Sequence, residues 1–191
     1  MDGEDLPNRR SIRLKAFDYA APGAYFVTIV THGRAPLFGA VKDGQVRLSR
    51  IGAVADRCWR EIPNHFPHVE LGSFVVMPNH VHILVLPRVP LATLTRRLKG
   101  YTARQANRIL GRTGDAFWQT ESYDHWVRSE QEWGRIVRYI ESNPVGAGLV
   151  TRPEDHPWSS AAPAIALRRQ DCHRGPQDCA LHVDTDTQSK M

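Results

Sequence analysis

The stretch Val69-Glu70-Leu71-Gly72-Ser73-Phe74-Val75-Val76-Met77-Pro78-Asn79-His80-Val81-His82-Ile83-Leu84-Val85-Leu86-Pro87 decides the architecture. Val69 to Met77 is strand-like, Pro78-Asn79 punctuates it, and His80 to Leu86 returns as a second strand closed by Pro87. Side chains alternate faces along a strand. His80 and His82 therefore point the same way, roughly 7 Å apart along the strand, while Val81, Ile83 and Val85 face the other side.

Upstream, Tyr25 to Thr31 is a β-branched and aromatic run that predicts another strand. Val41 to Val46 holds Asp43-Gly44 between short apolar flanks, the signal of a hairpin turn. Ile51, Val54, Ala55, Cys58, Trp59 and Ile62 follow helical spacing, and Pro63 is expected to end that helix. Leu91, Leu94, Leu98 and Tyr101 open a second helix that runs to about Leu110, with a loop over Gly111 to Gly114. Phe117 to Trp126 is aromatic-rich and shows no clear period. A third helix starts at Ser129, with Glu132 completing a capping box. Its apolar stripe is Trp133, Ile136, Val137 and Ile140, and Asn143-Pro144 is expected to stop it. Antiparallel strands interleaved with helices imply an α+β fold: a single antiparallel sheet with helices packed on one or both faces.

The chain has 191 residues, 41% of them hydrophobic and 24% charged, enough for one packed domain. No apolar run approaches the ~18 residues that a membrane span needs. Met1-Asp2-Gly3-Glu4-Asp5 is acidic where a signal peptide is basic, and three cysteines do not make a disulfide framework. The expectation is a cytoplasmic protein without a membrane partner. Residues 1–20 form a basic arm carrying Arg9, Arg10, Arg13 and Lys15, residues 21–165 the domain, and residues 166–191 a disordered tail. Cys172, His173, Cys179 and His182 lie in that tail, with a wider cysteine gap than structural zinc sites use.

Lys and Arg outnumber Asp and Glu by 25 to 20, which suits a polyanionic partner without requiring one. Arg97, Arg104, Arg108 and Arg112 recur at helical spacings with Tyr101 between them, and Arg135 and Arg138 flank Tyr139. Together with the arm they make a surface for a nucleic-acid backbone, although an arginine-rich helix face is also commonly just solvated.

Two imidazoles side by side at a strand start are an ordinary way to hold a divalent cation, and equally an unliganded pair near a strand end. Tyr139 and Asn143, four residues apart, share a helix face beside the apolar stripe. A phenol and an amide there could reach a site shared with the sheet. The same pair also reads as a half-buried packing tyrosine and a helix end.

Taken together, these residues resemble a known family. His80-Val81-His82 after Met77-Pro78-Asn79, with Arg138-Tyr139-Ile140-Glu141-Ser142-Asn143-Pro144-Val145 downstream, is similar to the HUH single-strand DNA transposases. The nearest branch is the REP-associated tyrosine transposases, related to the insertion-sequence 200-like enzymes. Arg10 to Leu14, Gly23 to Thr28, Phe117-Trp118-Gln119, Tyr123-Asp124-His125 and Pro157-Trp158-Ser159-Ser160 follow the same pattern, so the resemblance spans residues 9 to 162.

The resemblance implies a ferredoxin-like HUH fold with the nucleophile on a C-terminal helix. It implies Tyr139 as nucleophile and His80, His82 and Asn143 as metal ligands, with Mg²⁺ or Mn²⁺ suiting an open site better than zinc. It further implies cleavage and rejoining of single-stranded DNA beside a hairpin or imperfect palindrome through a 5′-phosphotyrosine, by a monomer or a homodimer. Two other functions fit parts of the pattern: a domesticated relative that binds hairpins without cutting, and a metal-dependent hydrolase of small phosphoesters. The second leaves the basic arm and Tyr139 without a role.

Overall fold

A computed structural model describes residues 23–42 and 45–163. The arm residues Arg9, Arg10, Arg13 and Lys15, the Asp43-Gly44 turn and the tail with its Cys and His residues lie outside the described residues.

Four strands form the main sheet in the order β4 (Val69–Val76), β5 (His80–Pro87), β1 (Ala24–Val30), β6 (Tyr123–Val127), every pairing antiparallel. The Val41 to Val46 hairpin forms as β2 (Gly39–Lys42) and β3 (Gln45–Leu48), paired at Val41↔Val46, and stands as a separate two-stranded sheet. The aromatic-rich stretch that has no readable period supplies β6 at the sheet edge. Its other aromatics are structural: Trp118 Nε1 donates to Thr102 Oγ1 at 3.0 Å and to the Lys99 carbonyl at 3.2 Å, and Phe117 meets Phe38 edge-on.

The two faces of the sheet bury two cores. Tyr25, Val27, Ile29, Val81, Ile83 and Val85 pack against α1 (Arg50–Arg60) and α3 (Leu91–Leu110). Val75, Met77, Leu84 and Val127 pack on the opposite face against Ile140 of α4 (Glu130–Gly146). Pro63 does not end a helix. The break falls at Glu61, and Pro63 enters the first turn of α2 (Ile62–His65), where its missing N–H is not needed.

Several contacts fix α4. Ser129 caps it, its Oγ accepting from the Glu132 N–H at 3.1 Å. Glu132 completes only half of a capping box, because its carboxylate turns away to accept from the Arg128 N–H at 2.7 Å and lies 2.9 Å from His125 Nε2. At Gly72, beside a bulge in β4, an added Cβ would fall 3.0 Å from Trp133, so the bare backbone admits the helix. Glu141 accepts from Ser73 on β4 at 3.1 Å and from Ser160 at 3.0 Å. The Pro157 to Ser160 segment in turn covers the outer edge of β4: the Val76 N–H donates to the Trp158 carbonyl and the Ser160 N–H to the Phe74 carbonyl.

Pro144 does not stop α4, which continues to Gly146. A proline two residues before a helix end removes one backbone bond, and here the residue is buried. The true stop is Gly148 at φ 68°, where the Leu149 N–H donates to the Pro144 carbonyl and the Gly148 N–H to the Val145 carbonyl, a Schellman turn. No helix among the described residues is long and apolar enough to cross a membrane.

Candidate active site

The α4 face of the sheet is apolar at one end and polar at the other. Along β5 it carries His80, His82 and Leu84, and along β1 it carries Phe26 opposite Leu84 and Thr28 opposite His82. The polar end is where α4 delivers Tyr139 and Asn143. The rings of His80 and His82 are 4.6 Å apart, and the Tyr139 ring lies 5.4 Å from that of His82. Tyr139 also stands edge-on to Phe26 at 5.8 Å, yet it remains 51% exposed. Its ring is thus seated on the sheet while half of the residue stays in solvent. The Asn143 side chain reaches His80. His80, His82, Tyr139 and Asn143, far apart in sequence, meet in one place.

Each imidazole has a partner on Nδ1. His82 Nδ1 is 2.8 Å from Thr28 Oγ1, and His80 Nδ1 is 2.7 Å from Asn79 Oδ1. An amide oxygen only accepts, so Nδ1 of His80 carries the proton and its Nε2 is the basic nitrogen. Burial, then the charge of Arg34, holds His80 below the ordinary histidine pKa, while the Asn143 contact opposes the shift. Burial and the neighbouring His80 push His82 down to about 3. Neutral imidazoles oriented through Nδ1 are the form that ligates a metal. Among the described residues no group of three or more His, Cys, Asp or Glu gathers for that purpose. The residues here that could hold a metal are the two imidazoles and the Asn143 amide, a set with open positions of the kind a hard divalent cation accepts.

The predicted basic surface divides. Arg135 and Arg138 lie exposed on α4, beside the tyrosine. Arg97, Arg104 and Arg108 lie on α3, in the layer on the other side of the sheet. Arg112 does not continue their helical face, because left-handed Gly111 (φ 66°) ends α3 before it. Two of these arginines have partners within the fold: Arg97 sits over the Phe66 ring at 5.9 Å, and Arg112 Nε donates to Asn107 Oδ1 at 3.4 Å. Arg104 and Arg108 remain exposed and line a cavity of about 270 Å³ with Asn107 and Asp115.

Sequence reasoning missed Asn79, Thr28 and Phe26. Thr28 was visible as a polar residue within an apolar strand, but only the β1–β5 register places it opposite His82.

Comparison with known proteins bears on the family and the fold. Residues 49–143, from the cap of α1 to Asn143, match the family described as transposase IS200 like. An uncharacterized protein of Haemophilus influenzae is 33% identical over 73% of this chain and 90% of its own length. The REP-associated tyrosine transposase of Escherichia coli K12 is 26% identical over 74% of this chain and 78% of its own. A solved structure, that of a REP-associated tyrosine transposase bound to a REP hairpin, shares the fold with a TM-score of 0.59 at 20% identity, over 94% of this chain and 99% of the other.

Proposed function

We propose, given that this chain belongs to the IS200-like transposase family, that it is a cytoplasmic enzyme that cuts and rejoins single-stranded DNA beside a hairpin. One observation carries the reading: from α4, Tyr139 reaches the His80–His82 pair on the sheet face beneath it, with its ring 5.4 Å from His82.

In this mechanism Tyr139 Oη attacks the scissile phosphorus, and the bond from phosphorus to the 3′ oxygen breaks. The phenolic proton is balanced by the one that the departing 3′-hydroxyl gains. The strand stays joined to the protein as a 5′-phosphotyrosine, so a later 3′-hydroxyl can attack it without an external energy source. His80, His82 and Asn143 would hold Mg²⁺ or Mn²⁺, which supplies Lewis-acid charge neutralisation at the phosphate. Phe26 seats the tyrosine ring, Thr28 orients the His82 ring through Nδ1, and Asn79 fixes the tautomer of His80. Arg135 and Arg138 lie beside the nucleophile for backbone phosphates, with Arg97, Arg104, Arg108 and Arg112 as contacts for a strand or stem that wraps the sheet edge. Arg9, Arg10, Arg13 and Lys15 would add to this surface from the arm. The partner is a hairpin or imperfect palindrome, as in the solved relative with its REP hairpin. The enzyme acts as a monomer or a homodimer.

The test is Tyr139→Phe. The ring and its packing stay, and only the hydroxyl is lost. With Mg²⁺ or Mn²⁺ the wild type is expected to leave a protein–DNA species that survives denaturing electrophoresis, carrying the label of the fragment 3′ of the cut, whose new 5′ end is joined to the tyrosine. The released fragment ends in a 3′-hydroxyl. Tyr139→Phe should bind the hairpin within a few fold and form no such species, while Tyr101→Phe and Tyr123→Phe should still form it. Cutting by Tyr139→Phe would point to water as nucleophile and to a hydrolase. A wild type that binds hairpins and never cuts would be a domesticated binder.

A further inference from the structure

The loop after β1 is built in an unusual way. Gly33 (φ 61°) and Arg34 (φ 56°) are consecutive left-handed residues, and Arg34 is the only non-glycine with positive φ among the described residues. An arginine there is strained where a glycine would not be. The strain is held from both sides. The Thr31 hydroxyl, in a buried residue, donates to the Ala35 carbonyl at 2.7 Å and to the Asn79 carbonyl at 3.0 Å. Asn79 Nδ2 donates to the Arg34 carbonyl at 3.1 Å. The same Asn79 side chain bonds His80 through Oδ1, so the backbone of Arg34 is one amide away from the imidazole pair. Arg34 is also exposed, has no acidic partner among the described residues, and is the cation whose field reaches His80. A strained, solvent-facing arginine without an ion pair contributes nothing evident to the fold. Its backbone, one amide from the imidazole pair, brings its positive charge close enough to act on His80.

We propose that Arg34 is a further catalytic residue, whose guanidinium binds the non-bridging oxygens of the scissile phosphate, with Asn79 as the positioning residue that aims both it and His80. A guanidinium offers paired N–H donors to a phosphate and keeps its charge throughout the reaction. Negative charge that builds on those oxygens as the tyrosine attacks is met by a donor already in place. The proposal rests on the cleavage reading above and adds a substrate contact to it.

The informative variant is Arg34→Gly, because glycine accepts the left-handed backbone and removes only the side chain. Its melting temperature is expected to equal or exceed that of the wild type, with Mn²⁺ and hairpin affinities unchanged within about threefold. Its single-turnover cutting of a hairpin strand should fall about 10²- to 10³-fold, the usual cost of losing one transition-state donor. Arg34→Asn, also tolerant of this backbone, should behave alike, and Arg34→Lys should recover part of the rate. A second readout separates substrate contact from loop architecture: with a methylphosphonate at the cut position, the ratio of wild-type to Arg34→Gly rates should shrink toward one. If Arg34→Gly cuts within threefold of the wild type, or if the ratio is as large on the methylphosphonate, the proposal alone falls. If the wild type forms no adduct at all, the cleavage reading falls and takes the proposal with it.

Discussion

The two faces of the main sheet are made by the same strands and are physically opposite. Toward α1 and α3, Tyr25, Val27, Ile29, Val81, Ile83 and Val85 are each 0% exposed. Toward α4, the residues between them are Phe26 and Thr28, His82 and Leu84, covered by a single helix that leaves Tyr139 half in solvent. A continuous apolar face gains about 25 cal/mol per Å² buried and needs no partner geometry. Buried imidazoles gain nothing from burial and must be satisfied by named partners, here Thr28 and Asn79. The first face holds the strands in register, and that register lets the second keep neutral histidines in place. If this division is right, the two faces respond oppositely to substitution.

The largest effect is expected at His82, through His82→Leu. Removing the imidazole should abolish Mn²⁺ binding in a calorimetric titration and reduce cutting to background, while hairpin binding persists. Stability should also respond to pH. His82 is held at about 3, well below its unfolded value. The folded state therefore takes up its proton later than the unfolded chain, and the wild type loses stability as pH falls below about 6.5. In metal-free urea melts, His82→Leu should lose less stability between pH 7 and pH 5 than the wild type does. Equal acid sensitivity would mean that His82 is not held neutral.

The neighbouring residue supplies the contrast. Ile83 is fully buried on the other face, and Ile83→Ala should cost about 2–5 kcal/mol of unfolding free energy. The loss should be similar at pH 7 and pH 5, because no titratable group is involved, and the folded fraction should cut at the wild-type rate. A cutting defect in fully folded Ile83→Ala would show that the two faces are not independent.

This contrast also explains what could be read from the sequence. The alternation His80-Val81-His82-Ile83 states the two faces of β5 outright, and Ser129 marks the start of α4. The end of α4 was misjudged because Pro144 looks like a local stop, whereas the decisive residue is Gly148, whose left-handed turn forms only after the buried proline has been accommodated. β6 was illegible because an edge strand half-covered by aromatics has no clean alternation. For the site, side chains on one element were visible, but their mates were not. Asn79 and Thr28 act through a tautomer and a cross-strand register, neither of which has a local signature. Arg112 failed for a related reason: spacing of four suggests a shared face only while the helix lasts.

The smallest effect concerns where the DNA runs, and it carries the comparison to the outer layers. Arg135 and Arg138 belong to the α4 layer with the tyrosine, whereas Arg104 and Arg108 belong to α3 on the far side. A single strand confined to the α4 face would release counterions only there. A strand or stem that rounds the sheet edge would also release them at α3. For single strands the log–log dependence of affinity on salt has a slope of about −0.7 per phosphate neutralised. Arg104→Gln with Arg108→Gln should therefore flatten the slope for a hairpin ligand by about 1.4 if both side chains contact phosphates. The affinity loss should be uniform across sequences, since phosphate contacts carry no base information. The matched pair Arg135→Gln with Arg138→Gln gives the reference for the layer that holds the nucleophile. A slope that moves for the α4 pair and stays fixed for the α3 pair would take α3 out of the interface and leave its arginines as a solvated helix face.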